Sequence, residues 1–183
     1  MWLDDDCDKR KYFICERSPE GLVCTYPLGI ESGAIPDASI TASSTWYGVG
    51  HEPYRGRLNG VAGEGAWSVS SNTIGEWLQV DLGEMTTVTG TIIQGRYHGN
   101  GDWVTSYKLQ YSVDGLSWMT YANSEGSEEV FPGNTDRNTP VTNLLDSPTD
   151  ARYVRFLPQS WHGWMSMRVE VLGCSVNGRF RSK

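Results

Sequence analysis

Short stretches of alternating apolar and polar residues recur along this chain, and no long amphipathic helix interrupts them. Trp77-Leu78-Gln79-Val80-Asp81-Leu82 puts Leu78, Val80 and Leu82 on one face and Gln79 and Asp81 on the other, the period of a half-buried strand. Thr87-Val88-Thr89-Gly90-Thr91-Ile92-Ile93 is rich in β-branched residues, which suit a pleated surface. Ser106 to Ser112 alternates again, Asp114-Gly115 signals a hairpin, and Trp118-Met119-Thr120-Tyr121 supplies the returning strand. Tyr153-Val154-Arg155-Phe156-Leu157 and Arg168-Val169-Glu170-Val171-Leu172 close the series. Many short strands joined by Gly- and Asn-rich connections predict an all-β sandwich or barrel.

Residues 1–23 read differently. Asp4, Asp5, Asp6 and Asp8 precede Lys9, Arg10 and Lys11, and Ser18-Pro19-Glu20-Gly21 reads as a turn or linker. The chain thus divides into an N-terminal piece (1–17), a linker (18–23), a β domain (24–174) and a tail (175–183). The four cysteines are Cys7, Cys15, Cys24 and Cys174. They form no CxxC pair, which disfavours zinc and thioredoxin-like chemistry. Three disulfide connectivities are open to them. The positions favour Cys24–Cys174, which bracket the strand pattern; four free thiols fit so turn-rich and aromatic a chain less well. No apolar run reaches the length of a transmembrane helix, and no signal peptide is visible at the N-terminus.

Between Cys24 and Cys174 eight Lys and Arg face sixteen Asp and Glu, and the only lysine is Lys108. So acidic a domain is a poor partner for nucleic acid or a strongly anionic membrane. Catalytic signatures are missing: there is no Gly-x-Ser-x-Gly and no His-Glu-x-x-His, and Gly60-Val61-Ala62-Gly63-Glu64-Gly65 lacks the lysine of a phosphate loop. Adjacent carboxylates such as Glu128 and Glu129 would face opposite sides of a strand. No cofactor and no metal site is expected.

Three connections are too elaborate for simple turns: Thr45 to Tyr54, with Trp46, Tyr47 and His51; Ser68 to Glu76, with Ser68, Asn72 and Thr73; and Arg96 to Trp103, with Tyr97 and His98. Loops on a rigid sandwich are a common seat of binding. Trp161 lies with His162 and Trp164 just before the last strand. Three histidines on loops at one end would make binding pH-sensitive, or hold a transition metal; the plainer reading is three ordinary surface histidines.

The order of motifs resembles the discoidin domain, the coagulation factor V/VIII C-type module. Those motifs are Gly29-Ile30-Glu31-Ser32-Gly33, Ile40-Thr41-Ala42-Ser43-Ser44, Arg57-Leu58-Asn59, Ala66-Trp67-Ser68, Trp77 to Gly83, Gln94-Gly95-Arg96, Ala151 to Arg155 and Arg168 to Cys174. The resemblance covers about residues 24–174. It implies a jelly-roll β-sandwich, a Cys24–Cys174 disulfide, and protruding spikes at one end that meet the ligand. Coagulation-factor members carry a pair of aromatics at the first spike that insert into phospholipid, and Trp46-Tyr47 stands there. Other members grip a peptide's terminal arginine with an aspartate in the second spike; Asn72 stands there and argues against that specificity. Trp2-Leu3-Asp4, Cys7 and Phe13-Ile14-Cys15-Glu16 resemble the last strands of a C-type lectin-like domain, in which both cysteines would pair upstream. The alternative is an acidic leader with Cys7 and Cys15 paired together.

The expected function is that of an extracellular, non-enzymatic adhesion module. It would recognise a glycan or an extracellular or cell-surface protein through Trp46, Tyr47, His51, Ser68, Asn72, Thr73, Arg96, Tyr97, His98 and Trp161. Peripheral phospholipid binding through Trp46-Tyr47 is the alternative, ahead of a glycosidase-like enzyme. Burial should divide the tryptophans, with Trp67, Trp77 and Trp118 in the framework and Trp46 exposed.

Overall fold

The computed structural model describes residues 17–18, 21–22, 24–99 and 101–175. The lectin-like reading of the first residues, the pairing of Cys7 and Cys15, and the tail beyond Ser175 lie outside the described residues. Two minimal strands, β1 (Arg17–Ser18) and β2 (Gly21–Leu22), pair antiparallel. The remaining strands are β3 (Tyr26–Pro27), β4 (Ile40–Ala42), β5 (Trp67–Ser68), β6 (Leu78–Gln94), β7 (Trp103–Ser112), β8 (Met119–Thr120), β9 (Phe131–Pro132), β10 (Val141–His162) and β11 (Ser166–Ser175). They form one antiparallel sheet in the order β3-β11-β6-β10-β7-β8, with β4 added to β6, β5 to β11 and β9 to β7.

Two long strands curl this sheet into a jelly roll. β6 has 17 residues and β10 has 22. The sequence pattern suggests two strands in β6, at 77–82 and 87–93, and one in β10, at 153–157. The structure makes β6 and β10 each one long strand, because their pairing resumes on both sides of residues 82–85. Leu78–Asp81 pairs with Tyr153–Phe156, whereas Thr86–Ile93 pairs with the earlier part of β10. Gly83 marks the bend in β6 with φ 82°, a conformation that costs any other residue. Register shifts in β10 fall between Leu144 and Thr149 and between Ala151 and Tyr153. The halves so formed face one another, and Leu78, Val80, Val88, Ile93, Tyr107, Phe156, Met167 and Val169 meet in one core. The Asp114-Gly115 hairpin forms as expected: Tyr111 pairs with Met119, and the Asp114 carboxylate accepts the Leu116 and Ser117 amides.

The tryptophans divide as expected. Trp67 is fully buried, and its indole donates to the Ser44 carbonyl at 2.9 Å. Trp77 and Trp118 are half-buried and clamp the Arg155 guanidinium, whose carbon lies 4.1 Å from one ring centre and 3.6 Å from the other. Beside them Arg152 grips Asp81 with two nitrogens, at 2.9 and 3.0 Å. That grip holds the Asp81 carboxyl below its ordinary value of 3.8. The stabilisation is therefore complete above the ordinary value and lost as pH falls through the lower folded-state value. We expect Asp81→Asn to unfold earlier in urea at pH 7 and to converge on the wild type near pH 2 (about two units below the unperturbed pKa). A constant gap between the two across the acid range would refute the assignment.

Cys24 and Cys174 are joined, with Cα atoms 5.9 Å apart across 150 residues of sequence. Cys174 pairs in register with Thr87, close after the β6 bend. β11 begins beside Ser68 at Ser166 and ends beside Thr86 at Ser175. At the usual rise per residue the bond lies roughly 25–30 Å from the loops described next.

Candidate functional site: an apolar crown on interlocked loops

Four connections and one tight turn meet at the end of the sandwich where β11 starts. The loop 43–52 follows β4 and leads into a 3-10 turn, Pro53–Gly56. Its Trp46 amide donates to the Ser68 carbonyl at 2.9 Å, and its indole packs edge-on against Trp164, with centroids 4.8 Å apart. Trp164 belongs to the turn between β10 and β11. Its indole donates to the Val69 carbonyl and its amide to Asp102 Oδ1, both at 2.9 Å. Gly163 beside it has φ 65°, and a Cβ there would sit 2.4 Å from Asp102 Oδ1. Asp102 also accepts Arg96 Nη1 at 3.0 Å, while Arg96 Nη2 binds Glu64. Glu64 closes the ring, its amide donating to the Gly50 carbonyl at 2.9 Å.

This lacework leaves apolar side chains at the tips. Tyr47 and Val49 are each 91% exposed, Ile74 is 59% and Trp46 is 38%. Tyr97 and Val61 add exposed surface on neighbouring loops. Trp46 and Tyr47 thus stand out as expected, although Trp46 leans on Trp164 rather than standing free.

Other expected site residues are used internally. His51 and Ser68 are buried, contrary to their expected place on exposed spikes. Ser68 lies in β5, and its hydroxyl meets His51 Nδ1 at 3.0 Å and the Ser166 hydroxyl at 2.7 Å. Burial, reinforced by the Arg96 guanidinium, holds the His51 imidazole below its ordinary value. Asn72 bridges to the Gly163 carbonyl at 3.2 Å and accepts the Met165 amide at 2.8 Å. Arg96 is committed to its two carboxylates, and the Arg96 hydrogen bond holds Glu64 below the usual carboxylate range. Trp161 is half-buried against the core. Thr73, Tyr97 and His98 do face solvent. The idea of a histidine trio holding a metal fails: among the described residues no group of three His, Cys, Asp or Glu side chains could hold an ion. His162 instead stacks on Trp103, with centroids 4.1 Å apart.

Sequence reading missed Val49 and Ile74, the most exposed apolar side chains after Tyr47 in these two loops. The signal was present. Gly48-Val49-Gly50 and Thr73-Ile74-Gly75 each set one large apolar residue in a segment too turn-prone to form a strand, so neither belongs to a buried face.

A family model described as "F5/8 type C domain" matches residues 39–171. Lactadherin from Rattus norvegicus is 46% identical over 157 residues, covering 82% of this chain and 36% of lactadherin. Neuropilin-2 from Homo sapiens is 37% identical over 180 residues, covering 96% of this chain and 19% of neuropilin-2. The chain therefore spans about a third or less of these relatives. Among solved structures, discoidin II of Dictyostelium discoideum superposes with a TM-score of 0.66 at 28% identity, covering 75% of this chain and 55% of that one. The jelly roll, the disulfide between the domain's ends and the sequence matches agree, and the chain belongs to the F5/8 type C (discoidin) domain family.

Proposed function

We propose that this chain is an extracellular, non-enzymatic binding module that docks its crown on a phospholipid surface. The exposure of Tyr47 and Val49 at the tip of loop 43–52 carries this reading. Two such side chains, with Ile74 exposed on loop 70–77, have nowhere to hide in the domain itself. Burying all three would contribute roughly 4–6 kcal/mol before the cost of association. The ring from Trp46 through Trp164, Asp102, Arg96 and Glu64 holds the loops in place beforehand, which lowers that cost. Glycan recognition, the first expectation from sequence, loses support because His51, Ser68 and Asn72 already spend their polar groups within the fold. A disulfide-closed domain is consistent with an oxidising, extracellular setting. We also read residues 1–17 as the end of a C-type lectin-like domain, on the motifs given above.

Vesicle sedimentation tests the reading. Wild-type protein should partition onto phospholipid vesicles, and Tyr47→Ser/Val49→Ser should bind roughly a hundredfold more weakly with an unchanged urea midpoint. Full binding by the double variant, or no wild-type binding to any vesicle, overturns the proposal. The second outcome would turn the search to glycans and extracellular proteins.

A further inference from the structure

The charge around the crown constrains which bilayer it fits. The loops 43–56, 61–65, 70–77, 95–102, 133–140 and 161–165 contain no lysine and three arginines, Arg55, Arg96 and Arg137, against five carboxylates, Glu52, Glu64, Glu76, Asp102 and Asp136. Two of those arginines are spoken for. Arg55 pairs with Glu52 at 3.3 Å, and Arg96 lies between Glu64 and Asp102 with its side chain 19% exposed. Glu76 accepts the hydroxyls of Ser43 and Ser44 and pairs with no cation among the described residues. Of the three, Arg137 alone has no carboxylate partner among the described residues, and one of its nitrogens donates to the Gly99 carbonyl at 2.7 Å. An anionic bilayer gains roughly fivefold in affinity for each free Lys or Arg brought near it. Here that gain is limited to one arginine and opposed by two excess carboxylates.

We infer that the crown docks on an electroneutral, choline-headgroup surface, with no requirement for anionic lipid; this rests on the membrane reading proposed above. Apolar tips supply the attraction, which is indifferent to headgroup charge. The aromatic tip suits the same surface. Tyr47 presents an open ring, with Trp46 tilted 53° to it and their centroids 6.5 Å apart. A trimethylammonium group is attracted to such ring faces, and the surplus carboxylates favour it further. A phosphoserine headgroup would bring a net negative charge to loops that offer it little.

Sedimentation separates this inference from the reading beneath it. The probes are vesicles of phosphatidylcholine alone and vesicles carrying about a third phosphatidylserine, each at roughly 0.05 and 0.5 M NaCl. Partition that agrees within about threefold in all four conditions supports the inference. Binding that needs phosphatidylserine and collapses in high salt overturns it while leaving the membrane reading intact. Binding to neither vesicle overturns both. Ser71 is exposed on the loop 70–77, where its hydroxyl meets that of Thr73 at 3.1 Å. Ser71→Lys should raise partition onto the phosphatidylserine vesicles about fivefold at low salt and leave that onto phosphatidylcholine unchanged. If it changes neither, the scarcity of free cations is not what sets the preference, and the inference falls.

Discussion

Replacing Arg168 with methionine is expected to lower stability by about 4 kcal/mol, because it strands three backbone carbonyls at once. Arg168 is 2% exposed. Its Nε donates to the Gly95 carbonyl at 2.7 Å, Nη1 to Gly60 at 3.1 Å and Nη2 to Arg137 at 2.9 Å. These carbonyls belong to three separate connections, so one guanidinium fixes the bases of the loops that form the crown. Burial pushes the group down to about 10, still high enough to keep it charged at neutral pH. Methionine roughly preserves volume, so the loss would report the hydrogen bonds more than a cavity. Lysine should rescue little, since a compact ammonium cannot span the fork. Urea unfolding at pH 7 measures the difference, and a loss below about 1 kcal/mol would dismiss Arg168 as the hub. Vesicle binding should fall in the same variant, because the loop that carries Arg96 and Asp102, and through Glu64 and Trp164 steadies loop 43–52, would lose its anchor at Gly95.

The paired substitution Cys24→Ser/Cys174→Ser is expected to cost about 4–5 kcal/mol, the chain-entropy value for so long a closed loop. The bond closes 150 residues of sequence. The folded domain should change little, since β11 keeps its pairing with β6 and Thr89 still donates to the Cys24 carbonyl at 2.7 Å. The effect should therefore appear as a lower urea midpoint with crown exposure unaltered. An equal loss on mutating either cysteine alone would agree; an unchanged midpoint in the double variant would show that the unfolded chain is already confined by other means.

Some of this was legible in the residues and some was not, for physical reasons. Period-2 alternation located the strand beginning at Leu78, and Asp114-Gly115 located the hairpin, because both signals are local. The continuity of β6 was not local. Gly83 looks like a turn residue, and only pairing with β10 on both sides keeps the strand whole. Arg168 and Glu170 show the limit most clearly. Alternation puts them opposite Val169 and Val171, and by pattern alone that face would meet water. In the structure both faces are covered. Glu170 is fully buried and accepts the amides of Ile30, Glu31 and Val171 at 3.1, 2.8 and 3.0 Å, and burial raises its carboxyl above the ordinary value. The segment covering Glu170 lies 139–140 positions upstream and those covering Arg168 lie 31, 73 and 108 positions upstream, and no periodicity reports them. His51 and Ser68 failed for the same reason. A histidine and a serine in glycine-rich surroundings look exposed until a partner such as Ser166 comes in from the far end of the chain.

The position of the disulfide has a mechanical side. Chain entering before Cys24 and leaving after Cys174 is bridged by the sulfurs themselves. A pull between neighbouring domains on either side would run through that covalent link and leave the residues between the two cysteines slack. The sandwich would then carry no tension, and its binding end, a strand's length away, would stay in shape while the tether was loaded.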